Sequence, residues 1–186
     1  MPTFRTPQVV QLSSEAVDRA AAFADAVIAT VNYRDSNQTA KQKIRDDHFV
    51  SKLGEEAVRF VFEKRDCKVE GPDYAIYSGK KKSWAADLKI NALDVAVKTQ
   101  RRSAAESYGL SWMFQDSPER RDPILDVPDA WVCLVVYEDL ESAQECLVYP
   151  LRKIKQLIFE APRLNKLIGK KQAVYLETLQ KNKVFK

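Results

Sequence analysis

The run Ala130-Trp-Val-Cys-Leu-Val-Val-Tyr137 constrains the fold more than any other part of the chain. A stretch with almost no polar side chain leaves no face for water, so a strand made from Trp131 to Tyr137 has to be buried on both sides, at the centre of a sheet. The chain has 186 residues, 45% of them apolar. That length suits one compact core and falls short of the size at which chains divide into several domains.

Helical spacing dominates the first third. Ser13 or Ser14 can cap a helix running to Asn32, with Glu15 and Asp18 favouring its start. Tyr33 to Lys43 is polar and reads as a connector or a weak helix. A second helix is predicted from Asp46 or Asp47 to Lys64, with Phe49, Val50, Leu53, Ala57, Val58 and Val61 on one face and Glu55 and Glu56 flanking it. The period then falls to two. Tyr74 to Ser78, a turn over 79–83 and Trp84 to Ile90 predict a hairpin, and Asn91 to Asp94 turns the chain into a further strand, Asp94 to Gln100. A helical turn is expected within Ser103 to Tyr108. Three prolines among charges predict a surface loop from Asp116 to Asp129. A short strand from Glu145 to Pro150 and a short basic helix from Leu151 to Phe159 complete the reading.

The formal net charge of +4 hides an uneven distribution. Pro150 to Lys186 holds ten Lys and Arg against two acids, an excess of +8 that leaves −4 on the rest. Smaller clusters stand at Lys80, Lys81 and Lys82, at Arg101 and Arg102, and at Arg120 and Arg121; each alone suits a solvated turn. Cys67, Cys133 and Cys146 lack CxxC spacing and a nearby histidine, which argues against a zinc site and makes Cys133 a core residue. The absence of an apolar signal core, and of any run of about 18 apolar residues, points to the cytoplasm with no membrane partner. Without a Walker loop or a Gly-rich dinucleotide loop, a nucleotide-driven motor is disfavoured. His48, the single histidine, lies near a helix start and reads as a surface or capping-region residue.

Alternation in the two middle strands puts Trp84, Ala86, Leu88 and Ile90 on one face and Asp87 and Lys89 on the other. In the next strand Val95, Val97 and Thr99 face the core, and Asp94, Ala96, Lys98 and Gln100 point away from it together with Asp87. An exposed Asp–Lys pair of this kind is worth about 0–1 kcal/mol and needs no functional explanation. The context adds to it: an acidic helix before the hairpin, an Asp-bearing strand, a strand ending Val97-Lys98-Thr99-Gln100, and Arg101-Arg102 directly after.

This arrangement resembles the PD-(D/E)xK nuclease superfamily over roughly Asp46 to Pro150. The resemblance implies an α/β fold with a restriction-endonuclease-like core, a central mixed β-sheet of about five strands flanked by helices. Residues 1–45 would add an N-terminal helical extension to a nuclease-like domain at 46–186. By the same resemblance Asp87 is the metal-binding aspartate, Glu55 the acid of the first core helix with Glu56 competing, Lys98 the motif lysine and Gln100 the polar residue after it. Asp73 of the literal Pro72-Asp73 ranks below Asp87. The implied cofactor is Mg²⁺, with Mn²⁺ as a substitute, the reaction phosphodiester hydrolysis of DNA, and a homodimer an assembly the fold allows. DNA contacts fall to Lys80, Lys81, Lys82, Arg101 and Arg102, which would bind phosphates, and to Tyr108 and Trp112, which would stack on bases.

The chain departs from the pattern at Ala96, where the family has Asp or Glu. A methyl group cannot ligate a hard cation that takes oxygen donors. The chain is therefore expected to be an inactive variant of a metal-dependent endonuclease whose parent carries glutamate at 96. The alternative is a noncatalytic DNA-binding or assembly protein on the same scaffold, with alanine native at this position.

Overall fold

The computed structural model describes residues 4–30, 40–77, 86–139 and 144–185. Strand β1 (Gln8–Gln11) leads into helix α1 (Ser14–Ile28), where Ser13 Oγ accepts from Ala16 N–H at 3.2 Å and satisfies one of the helix's free amides. Ala16, Ala20, Ala24 and Val27 form its buried stripe. Helix α2 (Lys41–Glu63) starts about a turn and a half before the expected Asp46. Two pairs at i,i+4 spacing support this polar opening: Gln42 Nε2 donates to Asp46 at 2.8 Å and Lys43 Nζ to Asp47 at 3.1 Å.

The meander differs from the expected hairpin. Strand β2 (Val69–Glu70), not Tyr74 to Ser78, pairs antiparallel with β3 (Leu88–Ile90). Residues 71–77 carry no strand, because Asp73 Oδ1 takes the Ala75 N–H at 2.8 Å and Tyr74 reaches helix α2 instead of a ladder. The predicted turn at 79–83, with Lys80, Lys81 and Lys82, and also Trp84, lie outside the described residues. Strand β4 (Leu93–Arg101) pairs antiparallel with β3. A crossover through helix α3 (Ala105–Tyr108), strand β5 (Ser111–Gln115) and a 3₁₀ turn at Pro123–Asp126 then delivers β6 (Trp131–Glu138), parallel to β4.

Strand β7 (Glu145–Val148) pairs antiparallel with β6 and, on its other side, with β1. The expected basic helix at Leu151–Phe159 does not form. Arg152–Lys153 is strand β8, paired with β6, and Ile154–Gln156 is a 3₁₀ turn that buries Ile154. Strand β9 (Lys171–Tyr175) pairs with β5 in a separate two-stranded sheet, and helix α4 (Leu176–Lys181) follows it.

The molecule is thus a mixed α/β protein. Among the described residues the main sheet has seven strands rather than about five, ordered β1-β7-β6-β4-β3-β2 with β8 also on β6. Alternate residues of β6 face two cores, as its apolar run requires. Cys133 and Val135 join Leu53, Val58, Val61 and Phe62 of α2; Val132, Leu134 and Val136 join Trp112, Phe114, Val174, Leu179 and Phe185 on the far face. Each fully buried Leu, Ile, Val or Phe here contributes about 1.5–3 kcal/mol relative to exposure. No helix among the described residues is long and apolar enough to cross a membrane.

Candidate functional site

Asp87 sits at the bend just before β3, where its carboxylate replaces the ladder. Its Oδ2 accepts from Val97 N–H of β4 at 2.7 Å. The β3–β4 register pairs Leu88 with Val95 and Ile90 with Leu93, so one step back sets Asp87 opposite Ala96. Lys98 follows on the same face of β4 by strand alternation. The two positions that the family pattern links are therefore neighbours across a single strand pair.

Helix α2 brings the third member. Glu55 is buried, 2% exposed, and accepts from Lys52 Nζ at 2.6 Å and Ser51 Oγ at 3.3 Å. Burial pushes its carboxyl up to about 7; the Asp87 charge adds to that shift, while Lys52 and Ser51 oppose it. Asp87 is also raised, again first by burial, with the Val97 amide, Lys98 and Lys52 pulling it down and Asp122 pushing it up. These mutual influences tie Glu55, Asp87, Lys52, Lys98 and Asp122 into one electrostatic cluster.

Two members of that cluster are absent from the sequence reading. Lys52 is buried, its ammonium 4.9 Å from the Phe23 ring and 5.5 Å from the Tyr74 ring. Its spacing from Glu55, three residues on one helix, is a signal the sequence offered. Asp122 accepts from Lys98 Nζ at 2.6 Å, and Lys98 also lies 4.9 Å over the Phe114 ring. Nothing local marks Asp122; its N–H donates to Gln115 O at 2.9 Å, which draws the loop beneath β4.

The remaining predicted residues separate. Gln100 is partly buried on β4. Glu56 is held by Arg19, Tyr74 and Arg59 and belongs to the α1–α2 contact. Arg102 forms a two-pronged pair with Glu138, and Arg101 donates to Asp46 O at 3.2 Å. Tyr108 is exposed, whereas Trp112 is 1% exposed and donates its indole N–H to Val135 O at 2.8 Å. Trp112 is a core residue and offers no ring face to a base. The face holding Ala96 and Lys98 is likewise covered, by β5 and the second core, where solvent was expected.

Four of the ten cations in the C-terminal basic stretch are tied into the fold. Lys153 and Lys155 pair with Asp129, Arg163 with Glu177, and Arg152 donates to Val184 O.

The acids present do not suit Mg²⁺. Glu55 is committed to Lys52 and Ser51, one oxygen of Asp87 to Val97, and Ala96 has no donor. Among the described residues no group of three His, Cys, Asp or Glu side chains is placed to hold a metal. Comparison of the chain with protein-family models, with curated proteins and with solved structures gave no match in any of the three.

Proposed function

We propose that this chain is a DNA-binding domain of the PD-(D/E)xK nuclease type, with a restriction-endonuclease-like core, whose cutting form carries glutamate at position 96. With alanine there, it holds DNA without cleaving it. The observation that carries this reading is Asp87 standing opposite Ala96, with Lys98 two residues further along the same face of β4. The succession of α2, the β2–β3–β4 meander, a crossover and the parallel strand β6 supports it, because the core of that family runs helix, three-strand meander, helix and further strand.

The chain's own groups suit a phosphodiester. Lys98 can exchange Asp122 for a phosphate oxygen, and Gln100 offers an uncharged amide donor two residues on. Binding that rests on such contacts weakens as salt rises. The deciding experiment is Ala96→Glu, assayed for Mg²⁺-dependent nicking or cleavage that Lys98→Ala then abolishes. A folded Ala96→Glu protein that leaves duplex, branched and single-stranded DNA intact overturns the nuclease reading.

Two observations favour a second reading, a noncatalytic DNA-binding or assembly protein. The Ala96 methyl packs against the second core, and Lys52 already satisfies Glu55. Gel shifts across linear, nicked and branched DNA, indifferent to divalent metal and unaccompanied by cleavage from Ala96→Glu, would select it.

A further inference from the structure

Strand β1 ends the main sheet, with β7 on one side and, among the described residues, no strand on the other. Leu12 N–H donates to Gln144 O at 2.8 Å, one step past the Gln11–Glu145 pair. By alternation Gln8 and Val10 also aim their backbone groups at β7, so Val9 and Gln11 aim theirs outward. Among the described residues those outward groups have no partner. Sheets commonly guard such an edge with charge; Gln8-Val-Val-Gln11 carries none, and Pro7 blocks only its start.

Helix α2 leaves this edge open. Two adjoining grooves run beside β1, and Val10 and Phe60 border both. Val9 is 64% exposed and Phe60 50%, so apolar side chains flank the open amides. Charge is unequal along the grooves. Lys64 borders the one that holds Gln8, and Glu15 the one that holds Leu12; both are exposed, and neither has an ion pair among the described residues. Arg19, Arg59, Glu56 and Glu63, which also lie there, pair with one another.

A second copy, turned about a two-fold axis through Val10, answers each of these features. The two β1 strands then run antiparallel with Val10 opposite Val10, which keeps every side chain on its own face of the sheet. Val9 exchanges both backbone bonds with Gln11 of the second copy, and Gln11 with its Val9, so every outward group is satisfied. The same turn sets the Lys64 end of each groove against the Glu15 end of the other. Any extended strand can fill the amides; the opposed charges at the two ends favour a second copy.

We propose that the chain forms a homodimer through β1, the main sheet continuing from one copy into the other. The inference stands on the sheet edge and is independent of the DNA-binding reading.

The test is sedimentation equilibrium of the parent chain and of Val9→Lys, Lys64→Glu and the exchange Lys64→Glu with Glu15→Lys. Ile168→Lys, at an apolar residue 53% exposed outside the grooves, controls for added charge. The parent should sediment as a dimer. Val9→Lys should weaken association at least about tenfold, while Ile168→Lys stays within about twofold. Lys64→Glu should weaken it about three- to tenfold, and the exchange should return it to within about twofold of the parent. All these positions are exposed, so circular dichroism spectra should match the parent's and separate lost association from lost folding. A dimer that Val9→Lys leaves intact, or an exchange no tighter than Lys64→Glu alone, overturns the proposal. So does a parent chain that stays monomeric up to its solubility limit, which would leave the edge to a strand from another protein.

Discussion

Gly54 of α2 lies against Thr99 of β4 so closely that a Cβ at position 54 would overlap Thr99 Oγ1 and come within 2.9 Å of the Thr99 Cβ. This contact sets the depth at which α2 crosses the sheet, and Glu55, the next residue, enters the cluster from it. The Thr99 hydroxyl has no partner inside that contact. Gly54→Ala should therefore cost about 1–3 kcal/mol through overpacking. Thr99→Ala, which removes an orphaned polar group, should be neutral or stabilising by about 1 kcal/mol, and should recover part of the Gly54→Ala loss. Urea unfolding of the two single variants and the double decides it; additive effects would mean the contact is not what positions the helix.

Glu55 predicts a pH dependence with a definite sign. Its carboxyl titrates near 7 in the fold and near 4.5 when exposed, so between those values the folded state binds the extra proton. Stability from this group is then full below about pH 4.5 and falls as pH rises to about 7, by at most about 3 kcal/mol. Glu55→Gln removes that decline. At pH 5 the parent's Glu55 is itself uncharged and glutamine is its isostere, so the two proteins should have similar stability there. Unfolding free energies of parent and variant at pH 5 and pH 8 should differ more at pH 8, where the variant is the more stable. An equal difference at both would show that Glu55 is ionised throughout.

Under the proposed function, a phosphate would have to displace the Asp122 carboxylate from Lys98. Both side chains are about a quarter exposed, so solvent screens the pair and Asp122→Ala should cost only about 1 kcal/mol of stability. Its effect on DNA should be larger and of opposite sign. Freed from Asp122, Lys98 meets a phosphate without first breaking a bond, and affinity should rise about three- to tenfold at low salt. An anisotropy titration showing weaker binding would place Asp122 among the groups that hold DNA.

What the sequence revealed follows hydrophobic period. The Trp131–Tyr137 run, the buried face of α2 and the alternation of Val95, Val97 and Thr99 all appear as read, because water exclusion acts on local patterns. Strand β1 escaped notice: four residues bounded by Pro7 carry too little alternation to register. The segment from Tyr74 misled in the other direction. Its aromatic content suits a strand, yet Asp73 captures the Ala75 amide and Tyr74 donates to Glu56 at 2.7 Å. At the site, Asp87, Lys98 and Glu55 were legible from pattern and order. Asp122 was not, since it meets Lys98 from a loop after β5 that the Gln115 carbonyl draws in, and no local pattern marks it.

The turn between β3 and β4 offers a prediction independent of DNA. Asn91 and Ala92 have φ of 48° and 67°, the two left-handed positions of the tight turn that matches strand twist. Asparagine tolerates this, and its Oδ1 also accepts the Lys68 N–H at 2.8 Å, tying the turn to the chain before β2. Alanine gains nothing there and bears a steric cost of about 1–2 kcal/mol that glycine avoids. Glycine's greater freedom in the unfolded chain returns about 0.4–1 kcal/mol of that. Ala92→Gly should therefore stabilise by about 0.5–1 kcal/mol, a rise of about 1–4 °C in Tm for a chain of this size. Because residue 92 is remote from Asp87 and Lys98 along both strands, DNA affinity should not change. A lowered Tm would mean that residue 92 does not occupy the left-handed position, and with it the register that sets Asp87 opposite Ala96 would have to be redrawn.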